Sequence, residues 1–278
     1  MAERPILDAT RTAGRAVGLA AAWIGRQAAA AWHGVDPDLR THLAELPLVG
    51  LTLLARGSAA VPALPDDGHR PVVFVHGLGG GPGNFQPMRI AFRLRGRSRT
   101  FAPALPRGVP VADLGRSLAA YLEELAARNG LPGDAQMDLV CHSMGGIVAR
   151  LALEDHRCRA RVATLVTLGT PHSGSHLARY GAMDASLCLR PGSEVMERLA
   201  AQVPWPGPPA MPRLVSLWSP ADVLLLPATS ACVEGAENVE MPGFTHYGYL
   251  LHPQAWWRVF DALAPGTPEA RPSRTPSV

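Results

Sequence analysis

From residue 71 onward, short continuous apolar runs alternate with stretches whose apolar positions recur at helical spacing. Residues 71–76 (Pro-Val-Val-Phe-Val-His) form the first run, of the kind a parallel sheet buries on both faces. It leads into Gly77-Leu78-Gly79-Gly80-Gly81, then a helix over 85–94 and a short strand over 99–104. Apolar side chains at 111, 114, 118, 121, 122 and 125 make 111–129 an amphipathic helix, closed by Asn129-Gly130. A second apolar run at 139–141 precedes a helix that carries Ile147, Val148, Leu151 and Ala152 and extends to His156, followed by a third run, Val162–Leu168. The rhythm breaks over 174–212, where helical pieces at 177–183 and 194–202 precede the proline-rich stretch 204–209. Strands resume at Arg213–Trp218 and 238–241, and a last helix spans 253–263. Strand alternating with helix predicts an α/β fold, a mostly parallel sheet with helices on both faces. In such a sheet the 174–212 insertion lies over the C-terminal edge, where ligands bind, as pocket lining or as a lid.

The first seventy residues follow a different pattern. Residues 4–32 read as an alanine-rich helix with Arg4, Arg11, Arg15 and Arg26 inside a sector of roughly 60°, opposite Ile6, Ala13, Val17, Ala20 and Ile24. Such a helix can lie in an anionic membrane surface, or pack its apolar side on the domain and leave its arginines in water. Alanine gives little insertion energy, which favours packing. Asp36-Pro37 is read as the break after this helix, and the apolar stretch 46–55 as a buried helix or part of a docking surface, too short to span a bilayer. Residues 57–70, with Pro62, Pro65, Asp66, Asp67 and Gly68, read as a linker. The expected division is a helical extension and linker over 1–69, a main domain over 70–264, and a disordered tail over 265–278.

The chemistry concentrates at Cys141-His142-Ser143-Met144-Gly145. Strand, serine, helix is the context of the G-x-S-x-G nucleophile elbow. The serine takes a strained turn, so the residues two before and two after it must be small where strand and helix meet. Gly145 satisfies the second position, and Cys141 stands at the first in place of glycine. A serine placed by chance in a strand-to-helix loop would look the same in isolation. Its companions decide between the two. A serine hydroxyl needs a base to take its proton, and that base needs a carboxylate to fix its tautomer. The partners follow the serine in the order acid, then histidine. Asp155 lies inside the helix after the elbow and Asp184 in the irregular insertion, whereas Asp222 follows the strand Arg213–Trp218 by four residues. Downstream of Asp222 stand only His246, in the loop after the last strand, and His252, beside Pro253 at the start of the last helix. Ser143, Asp222 and His246 are therefore the expected catalytic set. The developing oxyanion needs two backbone N–H donors, expected from Met144 and from Leu78 in the glycine-rich loop after the first strand.

His76-Gly77-Leu78-Gly79-Gly80, Cys141-His142-Ser143-Met144-Gly145-Gly146 and Thr167-Leu168-Gly169-Thr170-Pro171-His172-Ser173-Gly174 together resemble bacterial lipases of the α/β-hydrolase superfamily, over roughly residues 70–263. The resemblance implies carboxylic-ester hydrolysis through an acyl-serine, on lipid or small-molecule esters, with no organic cofactor. It supports the same five residues by motif position. Some members hold calcium, zinc or a disulfide. No carboxylate cluster here suits calcium, and His172 with His176 gives only a weak zinc suggestion against plain loop packing. Rival readings are acyl transfer or thioester cleavage by the same machinery, a binding protein that kept the fold, and a module recruited to a membrane or lipid-droplet surface by the N-terminal helix.

Composition narrows the field further. The chain has 278 residues, 47% of them hydrophobic and 18% charged, enough for one large core. A net charge of +3 is far from the basic patches of a nucleic-acid binder. No run reaches the roughly 18 apolar residues of a membrane-spanning helix. The four cysteines show no C-x-x-C spacing, against a metal cluster. Cys188 and Cys232 fall in loops and could pair, but free thiols are favoured because no clear export signal is present. Residues 11–25 resemble a weak one, yet Arg26 follows and no small-residue cleavage site does. The expected compartment is cytoplasmic or membrane-peripheral, with secretion left open.

Overall fold

The computed structural model describes residues 34–54, 60–181, 184–207 and 211–264. The helix expected over 4–32 and the tail 265–278 lie outside the described residues. Six strands, β1 (Val72–Val75), β2 (Thr100–Phe101), β3 (Met137–His142), β4 (Val162–Leu168), β5 (Arg213–Trp218) and β6 (Glu237–Glu240), form one sheet. Its order is β2-β1-β3-β4-β5-β6, and every neighbouring pair is parallel.

The continuous apolar runs are explained by burial on both faces. Val73 and Val75 of β1 point into one core with Leu139 and Cys141 of β3. Helix α3 (Val111–Arg128) covers that face through Val111, Leu114, Leu118, Leu122 and Leu125, together with α4 (Met144–Ala152). Val72 and Phe74 point the other way, into a core with Phe85, Phe92, Tyr249 and Val259. That core includes residues of α2 (Gln86–Leu94), α8 (Gly248–Leu251) and α9 (Pro253–Ala262). Alternate residues of one strand thus feed two cores.

Several elements depart from expectation. The strand expected over 99–104 pairs only at Thr100–Phe101, because Pro103 has no N–H to continue a ladder. The last strand is Glu237–Glu240, one residue early, although Met241 N still donates to Trp218 O at 2.7 Å. The helix after the elbow stops at Ala152, and Asp155 caps a separate helix α5 (His156–Ala160) by accepting from Arg157 N and Cys158 N. The helical piece expected over 177–183 is a 3-10 turn, His176–Tyr180, followed by a short helix α6 (Asp184–Leu187). The next piece is α7 (Glu194–Ala200).

The larger correction concerns the N-terminal side. Asp36-Pro37 starts a helix. The Asp36 carboxylate accepts from Asp38 N and Leu39 N, and Pro37 takes the first helical position of α1 (Pro37–Thr52). The apolar stretch 46–55 includes the last turns of this helix. It is not buried: α1 hides only His42, Glu45 and Val49, and leaves Leu39, Leu43, Leu46, Leu48 and Leu51 exposed. The stretch 60–70 is tied to the main domain, with Val61 in the core, Leu64 N donating to Asn129 Oδ1 at 2.8 Å, and Asp67 accepting from Ser98 N and Arg99 N. Among the described residues no helix is long and apolar enough to cross a membrane. Cys188 and Cys232 are free thiols, as are Cys141 and Cys158.

Candidate active site

Sheet topology places the site. From β1 the chain goes to β2 on one side, then crosses back to β3 on the other. The loops leaving β1 and β3 therefore part company, and the crevice between them is where parallel sheets bind ligands. Ser143 sits at that point, directly after β3, with φ 55° and ψ −130°. It is the only non-glycine with positive φ among the described residues. Three hydrogen bonds hold the turn: Ser143 N donates to Leu168 O at 2.9 Å, while Ser143 O accepts from Thr170 Oγ1 at 2.8 Å and Gly146 N at 3.1 Å.

The need for small neighbours is visible in the packing. A Cβ on Gly145 would lie 2.3 Å from Val75 O, and one on Gly77 would lie 2.8 Å from Ser143 Cβ. Neither obstacle is a flexible side-chain end, so both positions require glycine. Cys141 at the other elbow position is fully buried and packs within the core shared by α3 and α4. Its thiol is pushed up by burial, so it acts as a small apolar filler.

Among the candidate acids, Asp222 faces a histidine ring. Its Oδ2 and Oδ1 lie 2.9 and 3.0 Å from His246 Nδ1, and the two residues are 2% and 4% exposed. Asp222 lies in the loop after β5, and His246 in the loop after β6. Asp155 caps α5, Asp184 opens α6 in the insertion, and His252 Nε2 lies 3.0 Å from Glu45 Oε1 instead.

His142 buttresses the loop from within the elbow. Its Nε2 lies 2.8 Å from His246 O, so Nε2 carries the proton and donates to that carbonyl. Burial first, and then the charge of His246, push its pKa down to about 3, and the ring stays neutral. Gly169, with φ 54°, closes the other side; a Cβ there would lie 2.8 Å from Asp222 Oδ2 and 3.4 Å from His246 Nδ1.

Ser143, His142, His246 and Leu78 open into one cavity of about 370 Å³. Its remaining walls are mostly apolar: Val49 and Leu53 on or beside α1, Leu177, Ala178 and Leu189 from the insertion, and Leu224, Leu225 and Leu250. Met144 begins α4, where the first N–H groups have no partner within the helix and the helix dipole is positive. Asp222 stands behind His246, outside the lining. His172 does not suit a metal: its Nε2 lies 3.0 Å from Thr167 Oγ1 and its Nδ1 3.3 Å from Arg150 Nη1. His176 is exposed in the following 3-10 turn. No cluster of three metal-ligating side chains occurs among the described residues.

The buried histidines have a consequence for acid stability. Burial lowers the pKa of His142, His172, His76 and His42, in each case as the largest cause. An unfolded histidine titrates near 6.5, so below that pH the unfolded chain binds protons that the folded chain refuses. Stability is full above about pH 6.5 and falls with acidification, by at most about 1.4 kcal/mol per pH unit for His142 alone. Melting temperature should therefore drop between about pH 6.5 and 4.5, before the carboxylate range is reached. A flat profile across that window would contradict neutral buried rings.

The sequence pattern of the alpha/beta hydrolase family matches residues 72–277. The chain belongs to the alpha/beta hydrolase family. Among solved structures, lipase B of Aspergillus fumigatus is 18% identical with a TM-score of 0.60, over 73% of this chain and 55% of that one. The mature lipase BlEst2 of Bacillus licheniformis is 23% identical with a TM-score of 0.58, over 72% of this chain and 94% of that one. At these identities the likeness is one of fold, and the alpha/beta hydrolase match supports hydrolase chemistry in general. The match starts at β1, so α1, which supplies Val49 to the cavity, precedes it.

Proposed function

We propose that this alpha/beta hydrolase is a serine carboxylic-ester hydrolase acting on esters with an apolar acyl chain. The observation that carries the reading is the buried Asp222–His246 pair, whose imidazole opens with Ser143 into a single apolar cavity. In the reaction, Ser143 Oγ attacks the ester carbonyl while His246 takes its proton. The negative charge on the carbonyl oxygen is met by the N–H groups of Leu78 and Met144. Collapse expels the alcohol, protonated by His246, and leaves the acyl group on Ser143. Water, deprotonated by the same imidazole, then releases the acid and regenerates the serine. Asp222 holds Nδ1 and stabilises the imidazolium at each transfer. Residues 174–212 supply Leu177 and Leu189 to the acyl pocket.

The cavity volume sits toward the small end for ligand pockets, which supports short to medium acyl chains. The test is initial rates on p-nitrophenyl esters of acetate, butyrate, octanoate and palmitate. Butyrate and octanoate should be hydrolysed fastest. Palmitate as the best substrate would refute the size argument, and no turnover on any of the four would refute ester hydrolysis.

A further inference from the structure

We infer that Glu45, on helix α1 ahead of the family match, is a positioning residue that sets the loop carrying His246; the inference rests on His246 being the general base. Glu45 is 6% exposed, and its two carboxylate oxygens go to different partners. Oε2 accepts the hydroxyl proton of Thr245, the residue immediately before His246. Oε1 pairs with Nε2 of His252 at 3.0 Å. Thr245 and His252 bracket the segment that holds His246, so one carboxylate ties both ends of it.

The segment has little room to settle elsewhere. Thr245 Oγ1, besides donating to Glu45, accepts from Gly248 N at 3.2 Å, and Thr245 O accepts from the same N–H at 3.1 Å. A Cβ on Gly248 would lie 3.5 Å from Glu45 Oε1. One turn before Glu45, His42 stacks on Tyr247, the residue after the base, with ring centroids 5.1 Å apart at 21°. From the opposite side His142 donates to His246 O at 2.8 Å. Asp222 fixes the direction of the imidazole, while α1 and His142 grip the backbone that carries it.

A buried carboxylate is a costly way to pack a helix, since an apolar side chain of similar size would serve that purpose at least as well. What the carboxylate supplies is direction: it accepts along two fixed lines, from a hydroxyl and from an imidazole. Proton transfer from Ser143 needs His246 placed to a fraction of an ångström, and misplacement by about 1 Å from a distant change can cost about a hundredfold in rate.

The experiment compares Glu45→Gln, Thr245→Val and Thr245→Ser with the wild type. Readouts are kcat and KM on p-nitrophenyl butyrate and the rate at which a p-nitrophenyl alkylphosphonate labels Ser143. In labelling, the Oγ–P bond forms, the bond from phosphorus to p-nitrophenolate breaks, and the serine proton passes to His246. Gln keeps the volume of Glu45, and circular dichroism checks that each variant is folded. Glu45→Gln and Thr245→Val should lower kcat and the labelling rate about ten- to a hundredfold, with KM within about threefold. Thr245→Ser, which keeps the hydroxyl, should restore both to within about threefold of wild type.

Folded Glu45→Gln and Thr245→Val proteins that keep wild-type kcat and labelling rate would overturn the inference, even with lowered melting temperatures, because that is the signature of a purely structural contact. If Glu45→Gln does not fold, the Thr245 pair decides: equal losses in Val and Ser also overturn it. A wild type that labels at Ser143 but turns over no ester defeats the ester reading alone, and the labelling rates still judge Glu45. A wild type that does neither defeats both.

Discussion

Replacing Ser143 with alanine should reduce ester hydrolysis to the background rate, a loss in kcat on the order of a millionfold if the uncatalysed rate can be reached. The Oγ oxygen is the only heavy atom removed. The cavity walls and the Asp222–His246 pair stay in place, so the proposed mechanism predicts that substrate still binds and that the proposed oxyanion donors, Leu78 and Met144, are still present. What disappears is the acyl-enzyme, and with it any burst of p-nitrophenol. The melting temperature should change by no more than a few degrees, since Ser143 makes its hydrogen bonds through its backbone N–H and carbonyl. Initial rates with purified protein at matched concentrations give the answer. Residual turnover above about one per cent of wild type would mean that the chemistry runs through another group.

Asp222→Asn should cost about ten-thousandfold in kcat/KM with the fold intact. The substitution is nearly isosteric in a tightly filled site, bounded by Gly169 and Tyr249, so packing is preserved. The change is in protons. A carboxylate accepts from Nδ1–H and leaves Nε2 as a bare acceptor toward the serine. An asparagine amide can donate to Nδ1 instead, which moves the ring proton to Nε2, where it is useless as a base. It also removes the negative charge that would stabilise the imidazolium as it forms. The matching measurement is kcat/KM across pH 6–10 for the folded variant. A loss smaller than tenfold would demote Asp222 to a structural carboxylate.

Much of the sheet could be read from the chain, because burial on both faces leaves continuous apolar runs such as 71–76 and Val162–Leu168. Ser143 was legible as a candidate from the small residues around it in a strand-turn-helix stretch, taken together with the acid and histidine that follow. Asp222 and His246 were legible by elimination, from their order and the strands they follow. Gly169 was visible within a motif, but its role as the wall against which Asp222 and His246 close was not, because contact between loops after different strands leaves no local pattern. The buried-helix reading of 46–55 failed for a clearer reason. The buried face of α1 is His42, Glu45 and Val49, two polar residues and one apolar, while all five of its leucines are exposed. The usual inference from apolar to buried runs backwards there. The available signal was a Glu and a His at i, i+3 spacing inside a leucine-rich helix. That pair turns inward here, and the family match beginning at β1 could not have supplied it.

The backbone at Ser143 is held in a strained turn. Its φ of 55° belongs to a conformation in which a side chain is strained, at a cost of about 1–3 kcal/mol. Glycine would adopt it freely, and every contact that holds the turn is made by atoms glycine also has. Ser143, the one non-glycine with positive φ among the described residues, therefore marks a place where this fold is weaker than a glycine would leave it, and Ser143→Gly should raise the melting temperature.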